Sequence, residues 1–126
     1  MENNNLLKQQ MEALQELYNY NQKLMPAIQS LIEELRQEKK EDTDELLSII
    51  INGINWIIEI MNRTMNLINE KEEFIEKERI NEGIQKFASA IREKDDLKIA
   101  DCLEKDILVF LIDINMRVAA ITKLAC

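Results

Sequence analysis

Apolar residues recur every three or four positions along most of the chain, which is the spacing of one face of an α-helix. The first such run extends from about residue 4 to residue 39 and keeps its phase across Pro26. It predicts one long helix that is kinked at the proline and is not divided by a loop. Its core face consists of Leu7, Met11, Leu14, Tyr18, Asn21, Met25, Ile28, Ile32 and Leu35.

The second run follows a short charged segment, and Asp42 with Glu45 three positions later predicts a capping box at its start. The run is apolar around most of its circumference. We therefore predict that this second helix is the central helix of a bundle, packed on most sides. Only a narrow polar stripe remains, made of Ser48, Asn52, Asn55, Glu59, Asn62, Asn66 and Asn69.

Two further helices are predicted in the second half of the chain, although the boundary between the second and third helices, between Asn69 and Arg79, has no Gly or Pro to mark it. The third helix ends near Lys94, and Asp95 or Asp96 caps a fourth helix that continues to near the C-terminus. The chain is thus predicted to be all-α, a single domain over residues 1–126 that folds as an antiparallel up-down four-helix bundle.

The fourth helix carries a core face and, on its opposite side, a second set of apolar residues formed by Leu108, Ile112 and Ala119. Because an apolar face on an outer helix requires a cover, these three residues predict an interface with another chain.

Asp113 and Arg117 lie four positions apart in the same helix, so we predict an intrahelical ion pair with a structural role.

The charge of the chain argues against anionic partners. Sixteen Lys and Arg against 24 Asp and Glu give a net charge of −8, which repels nucleic acids and anionic membrane surfaces. The longest apolar run, 107–112, is far shorter than the ~20 residues that cross a bilayer. The N-terminus has no signal-peptide pattern, so we expect a cytoplasmic protein whose two thiols, Cys102 and Cys126, are reduced. From the charge and the short apolar runs we expect neither a nucleic-acid partner nor a membrane partner.

Residues that carry common chemistries are missing from the sequence. The chain has no histidine, so it lacks Ser-His and Cys-His nucleophile pairs and the Glu-x-x-His motif of di-iron bundles. Its two glycines, Gly53 and Gly83, stand alone within helical patterns and form no nucleotide-binding loop. We therefore predict a protein that is not an enzyme and that has no cofactor.

Two segments resemble a group of small uncharacterised helical proteins of Gram-positive bacteria. They are residues 94–108, with an Asp at the start of the last helix, then Ala100-Asp101, Leu103-Glu104 and Ile107, and the stretch Asn-Gly-Ile-Asn-Trp-Ile-Ile-Glu of the second helix. The resemblance implies an all-helical fold and a bacterial cytoplasm, and it brings no activity. In size and helix content the chain is also similar to flagellar export chaperones.

Two functional hypotheses follow. The first is a non-enzymatic protein-interaction module, a bundle that forms a homodimer and acts as an adaptor or chaperone for another protein, because apolar surface is in excess on the fourth helix. The alternative is a helical binder of a small ligand or metal, with a site between helices around Trp56, Asp113 and Arg117.

Overall fold

The computed structural model describes residues 2–69 and 76–122, with side chains from residue 5 onward. Over this part of the chain the fold is all-α, as predicted, with four helices and no strand. Helix α1 is Glu2–Arg36, α2 is Thr43–Ile68 and α3 is Lys77–Glu93. Helix α4 is continuous and consists of Asp96–Cys102, a π-helical turn at Leu103–Ile107, and Leu108–Thr122.

Two sequence predictions fall on residues that lie outside these ranges. The first is the boundary between the second and third helices, of which residues 70–75 are not described, and the second is the thiol of Cys126. Within the described residues, no helix is both long enough and apolar enough to cross a membrane.

The central helix of the bundle is α1, because it packs against α2 on one side and along the length of α4 on the other. The prediction that the second helix is central was wrong. Ile49 of α2 is 55% exposed, and many other apolar residues of this helix are only half-buried: Leu46, Leu47, Ile51, Trp56, Ile58, Met65 and Leu67. A wide apolar face shows how much apolar surface a helix has, but it does not show how many neighbours cover it.

Polar contacts show in which direction α1 runs relative to α4. Near the end of α1, Arg36 pairs with Asp101 and Glu104 at 2.8 and 2.9 Å. In the middle of α1, Asn21 contacts Asn115, which lies further along α4. The order of these contacts shows that α1 and α4 run in opposite directions, while the antiparallel up-down arrangement of all four helices stays a prediction.

The start of α2 is held differently from the predicted capping box. Asp42 occupies the N-cap position, but its side chain makes no capping hydrogen bond. Instead, Thr43 is fully buried, and its Oγ1 accepts a hydrogen bond from the backbone N–H of Lys40 and donates one to Glu34 Oε1, both at 2.7 Å. A hydroxyl can donate and accept at once, so Thr43 ties the loop to α1, which a carboxylate could not do.

Other boundary signals in the sequence behave as predicted. Asp95 caps α4, because its Oδ1 accepts a hydrogen bond from the backbone N–H of Lys98 at 3.2 Å. Helix α3 ends at Glu93, and the next residue, Lys94, adopts a left-handed conformation with a φ of 56°. Helix α1 continues through Pro26, and a kink at this residue stays a prediction.

Candidate interaction surface

Two sides of α4 are covered by the rest of the chain. On the side that faces α1, Leu108 and Ala119 share a helix face with Asn115, and each is only 8% exposed. A second buried row of α4 is formed by Ile107, Phe110, Ile114 and Val118. Two of the three residues predicted to form an interface are therefore covered by the chain itself, and they offer almost no surface to a partner.

The third side of α4 is an exposed apolar ridge. Val109, Ile112 and Met116 are 41%, 47% and 62% exposed. Their spacing of three and then four residues places them along one line of the helix. We call these three residues the α4 ridge. Of the predicted interface, Ile112 belongs to it, while Val109 and Met116 were missed although their spacing from Ile112 was a usable signal.

A cleft of about 130 Å³ between α3 and α4 borders the ridge. Val109 lines this cleft as well as belonging to the ridge, so that the two apolar surfaces are continuous. The other apolar residues of the cleft are Ile80, Ile84, Ile107 and Phe110, and its polar residues are Glu76, Arg79, Lys105, Asp106 and Asp113.

The shape of the cleft depends on a close approach of the two helices at Gly83. This residue is buried, and a Cβ added to it would lie 3.1 Å from the Cβ of Asp106. Asp106 belongs to the π-helical turn of α4. A π-helical turn holds more residues than a regular turn, so the side chains before it point in different directions, relative to those after it, than they would in a regular helix. Such turns are frequent at functional sites. Gly83 and the π-helical turn together set where the cleft lies.

Charged residues are placed on both sides of Val109 along α4. Lys105 lies four positions before it and Asp113 four positions after it, and both are exposed and line the cleft. Within the described residues, neither of these two side chains forms an ion pair. Their charges are therefore available to a partner.

The predicted ion pair between Asp113 and Arg117 is replaced by another contact. The Nε of Arg117 donates a hydrogen bond to the carbonyl oxygen of Ile68 at 2.7 Å, and no ion pair joins it to Asp113 among the described residues. Ile68 ends α2, where the last carbonyls of a helix have no intrahelical partner. Arg117 thus fastens the C-terminal part of α4 to the end of α2.

The residues of the alternative ligand site do not all line the cleft between α3 and α4. Asp113 lines the cleft, but neither Trp56 nor Arg117 does. The ring of Trp56 instead packs edge-on against Tyr20 of α1, with the ring centroids 5.2 Å apart. The described residues also contain no group of three or more Cys, Asp or Glu side chains that could hold a metal ion.

Two ionisable groups near the π-helical turn have shifted pKa values. Arg36 donates hydrogen bonds to both carboxylate oxygens of Glu104, and this contact lowers the pKa of Glu104. Burial raises the pKa of the Cys102 thiol, and the negative charge of Asp106 raises it further. A raised pKa makes Cys102 a poor nucleophile, because the thiolate is the reactive form.

Comparison with known proteins identifies a family. The sequence profile of the family described as "Domain of unknown function (DUF8042)" matches residues 12–116. This range begins in α1 and ends at Met116, so it includes the cleft and all three residues of the α4 ridge. No curated protein and no solved structure matches the chain.

Proposed function

The chain belongs to the DUF8042 family, and we propose that it is a non-enzymatic protein-interaction module that binds a protein through the α4 ridge and the adjoining cleft. In this proposal it acts in the cytoplasm as an adaptor or a chaperone. The observation that carries the proposal is the exposure of three large apolar side chains in one row on the outside of α4.

Such a row fits a protein partner because helices are recognised through apolar residues at helical spacing. Single exposed apolar residues are common on protein surfaces and need no explanation, whereas contiguous apolar patches mark interaction sites. Val109 extends the ridge into the cleft, so the patch has a recess as well as a row of side chains. A recess that receives one side chain is typical of the centre of a protein interface.

The alternative, a small-ligand binder, has weaker support. The cleft has the mixed apolar and charged lining of a ligand site, but its volume of about 130 Å³ is below the roughly 300–1,000 Å³ of most ligand pockets. A cleft of this size accommodates one side chain of a partner better than a whole ligand. For this cleft, volume therefore favours the protein-interaction proposal.

The proposal is tested by copurification of a tagged chain with matched surface variants. Ile112→Glu introduces a charge into the ridge, and Ile49→Glu introduces the same charge at an isoleucine on α2 that is exposed to a similar extent, 55% against 47%. Both variants should keep the helical content of the wild type in circular dichroism, because neither residue is in the core. We expect a protein partner to be recovered with the wild type and with Ile49→Glu, and to be lost with Ile112→Glu.

Two results argue against the proposal. In one, Ile112→Glu and Met116→Glu both retain every partner that the wild type binds. In the other, Ile49→Glu loses the partner as completely as the ridge variants, which would mean that the ridge has no special role.

A further inference from the structure

We infer that the occupant of the α4 ridge is a second copy of this chain, bound so that the two α4 helices run antiparallel about a two-fold axis at Val109. This inference rests on the proposed function, because it names the partner of the same surface. A closed two-fold contact uses one patch twice, so the patch must complement itself in shape and in charge.

The charges of α4 have this self-complementary arrangement. In an antiparallel pair centred on Val109, residues that lie equally far before and after Val109 face each other. Lys105 then faces the partner's Asp113, and Asp113 faces the partner's Lys105. Both residues are exposed and line the same cleft, and neither has an ion-pair partner within the described part of its own chain. The contact forms two pairs of opposite charge with no like charges opposed.

One apolar residue of the ridge, Val109, lies on the proposed axis. Val109 packs against the partner's Val109 at the axis. Ile112 lies opposite the partner's half-buried Asp106 and one position from the point opposite the partner's Lys105, whose methylene groups can cover apolar surface while the ammonium group reaches the carboxylate. Because Lys105 is inside the π-helical turn, it falls closer to the line of Val109 than it would in a regular helix.

A centre at Ile112 is less consistent with the charges. It would bring Ile112 against the partner's Ile112 and place Val109 opposite the partner's Asn115, one position from Met116. However, Lys105 would then face the partner's Ala119, and Asp113 would face the partner's Leu111. Both charges would lose water without gaining an opposite charge, and this is unfavourable for a charged group at an interface.

The dimer should be weak. Stable complexes bury about 800 Å² per partner, whereas the ridge consists of three partly exposed side chains and one edge of the cleft. We therefore expect a dissociation constant in the range of roughly 10–100 μM. In such a contact the ion pairs fix the register and exclude other arrangements more than they add affinity.

The test is analytical ultracentrifugation of the wild type, Lys105→Asp, Asp113→Lys, and the double variant in which the two charges are exchanged. Each single variant opposes like charges at both ends of the contact, so we expect dimerisation to weaken by about tenfold or more. The double variant restores opposite charges, and its dissociation constant should return to within about threefold of the wild type. A one-to-one mixture of the two single variants should form heterodimers, because the aspartate introduced at position 105 of one chain then meets the lysine introduced at position 113 of the other.

Salt provides the internal control, since about 1 M NaCl should reduce the difference between the single variants and the wild type. A wild type that stays monomeric up to about 1 mM would overturn the second copy as the occupant. Single variants that dimerise as well as the wild type would overturn the register about Val109. If the wild type is monomeric while Ile112→Glu still removes a different protein, this inference fails and the proposed function remains.

Discussion

Asn21 donates a hydrogen bond from its Nδ2 to the Oδ1 of Asn115 at 3.0 Å, in the buried contact between α1 and α4. The same Nδ2 also donates to the carbonyl oxygen of Leu111 at 3.1 Å. Asn21 is fully buried, and its Oδ1 has no hydrogen-bond partner among the described residues. A buried amide pair of this kind costs stability but disfavours any register of the two helices that would separate it.

The amide pair makes the effects of substitution non-additive. Asn21→Ala or Asn115→Ala alone should lower the free energy of unfolding by about 1–3 kcal/mol, because each creates a cavity and leaves a buried polar group with fewer partners. Replacing both residues by Leu removes the polar groups together, including the unpaired oxygen, and should be neutral or stabilising by up to about 2 kcal/mol. Urea unfolding followed by circular dichroism measures both. A double variant that is less stable than each single variant would contradict this explanation.

The close approach at Gly83 gives a second prediction. Ala is favoured over Gly in a helix by about 1 kcal/mol, but the new Cβ would lie 3.1 Å from the Cβ of Asp106 and would push α3 away from α4. Overpacking costs about 1–3 kcal/mol, so we expect Gly83→Ala to lower the free energy of unfolding by about 1 kcal/mol. The exposed Asn81→Ala in the same helix is the control and should be neutral or slightly stabilising. A stabilised Gly83→Ala would show that the two helices are free to separate.

The contact between Arg36 and Glu104 predicts a dependence of stability on pH. The hydrogen bonds from Arg36 lower the pKa of Glu104 in the folded state below that in the unfolded chain. The carboxylate therefore contributes stability above its ordinary pKa range, and this contribution is lost as pH falls through the lowered value. Urea midpoints of wild type and Glu104→Gln should differ at pH 7 and converge as the pH falls below the ordinary range of a glutamate side chain. The difference in urea midpoint should be small because the pair is exposed. A difference that does not depend on pH would show that it does not come from the contact between Arg36 and the Glu104 carboxylate.

The thiol of Cys102 should react slowly. Burial and the nearby charge of Asp106 raise its pKa, so that little thiolate is present near neutral pH. In a Cys126→Ser background, where Cys102 is the remaining cysteine, we expect iodoacetamide at pH 8 to react several-fold more slowly with the folded chain than with the chain in 8 M urea. Lys86→Gln should slow the reaction further, because the charge of Lys86 lowers this pKa. Equal rates in the folded and unfolded chains would rule out the environment described for Cys102.

The helices themselves could be predicted because each is encoded by local spacing. The apolar rhythm, the capping Asp95 and the charged segment before Thr43 locate the elements, and all depend on neighbours in sequence. The identity of the central helix could not be predicted in this way. The second helix has the broader apolar face, yet α1 is central. Spacing correctly places Asn21 on the core face of α1, but it does not show which helix that face meets.

The interaction surface could be predicted only in part for the same reason. Leu108 and Ala119 are apolar on the side of α4 opposite its predicted core face, but this side faces α1. Arg117 is four positions from Asp113, but the end of α2 offers it a carbonyl oxygen. Both outcomes depend on which element lies next to α4, and this information is not present in the spacing of one helix. The π-helical turn also has no sequence signal that we can identify.

The central claim, that the α4 ridge binds a protein, is tested most directly by site-specific photocrosslinking. A photoreactive amino acid is placed at Met116, or at Ile49 as the matched exposed position on α2, and the chain is irradiated in living cells. The account predicts one discrete crosslinked species from Met116, which has twice the mass of the chain if the occupant is a second copy, and no such species from Ile49. No crosslink from Met116, or the same species from both positions, would contradict it.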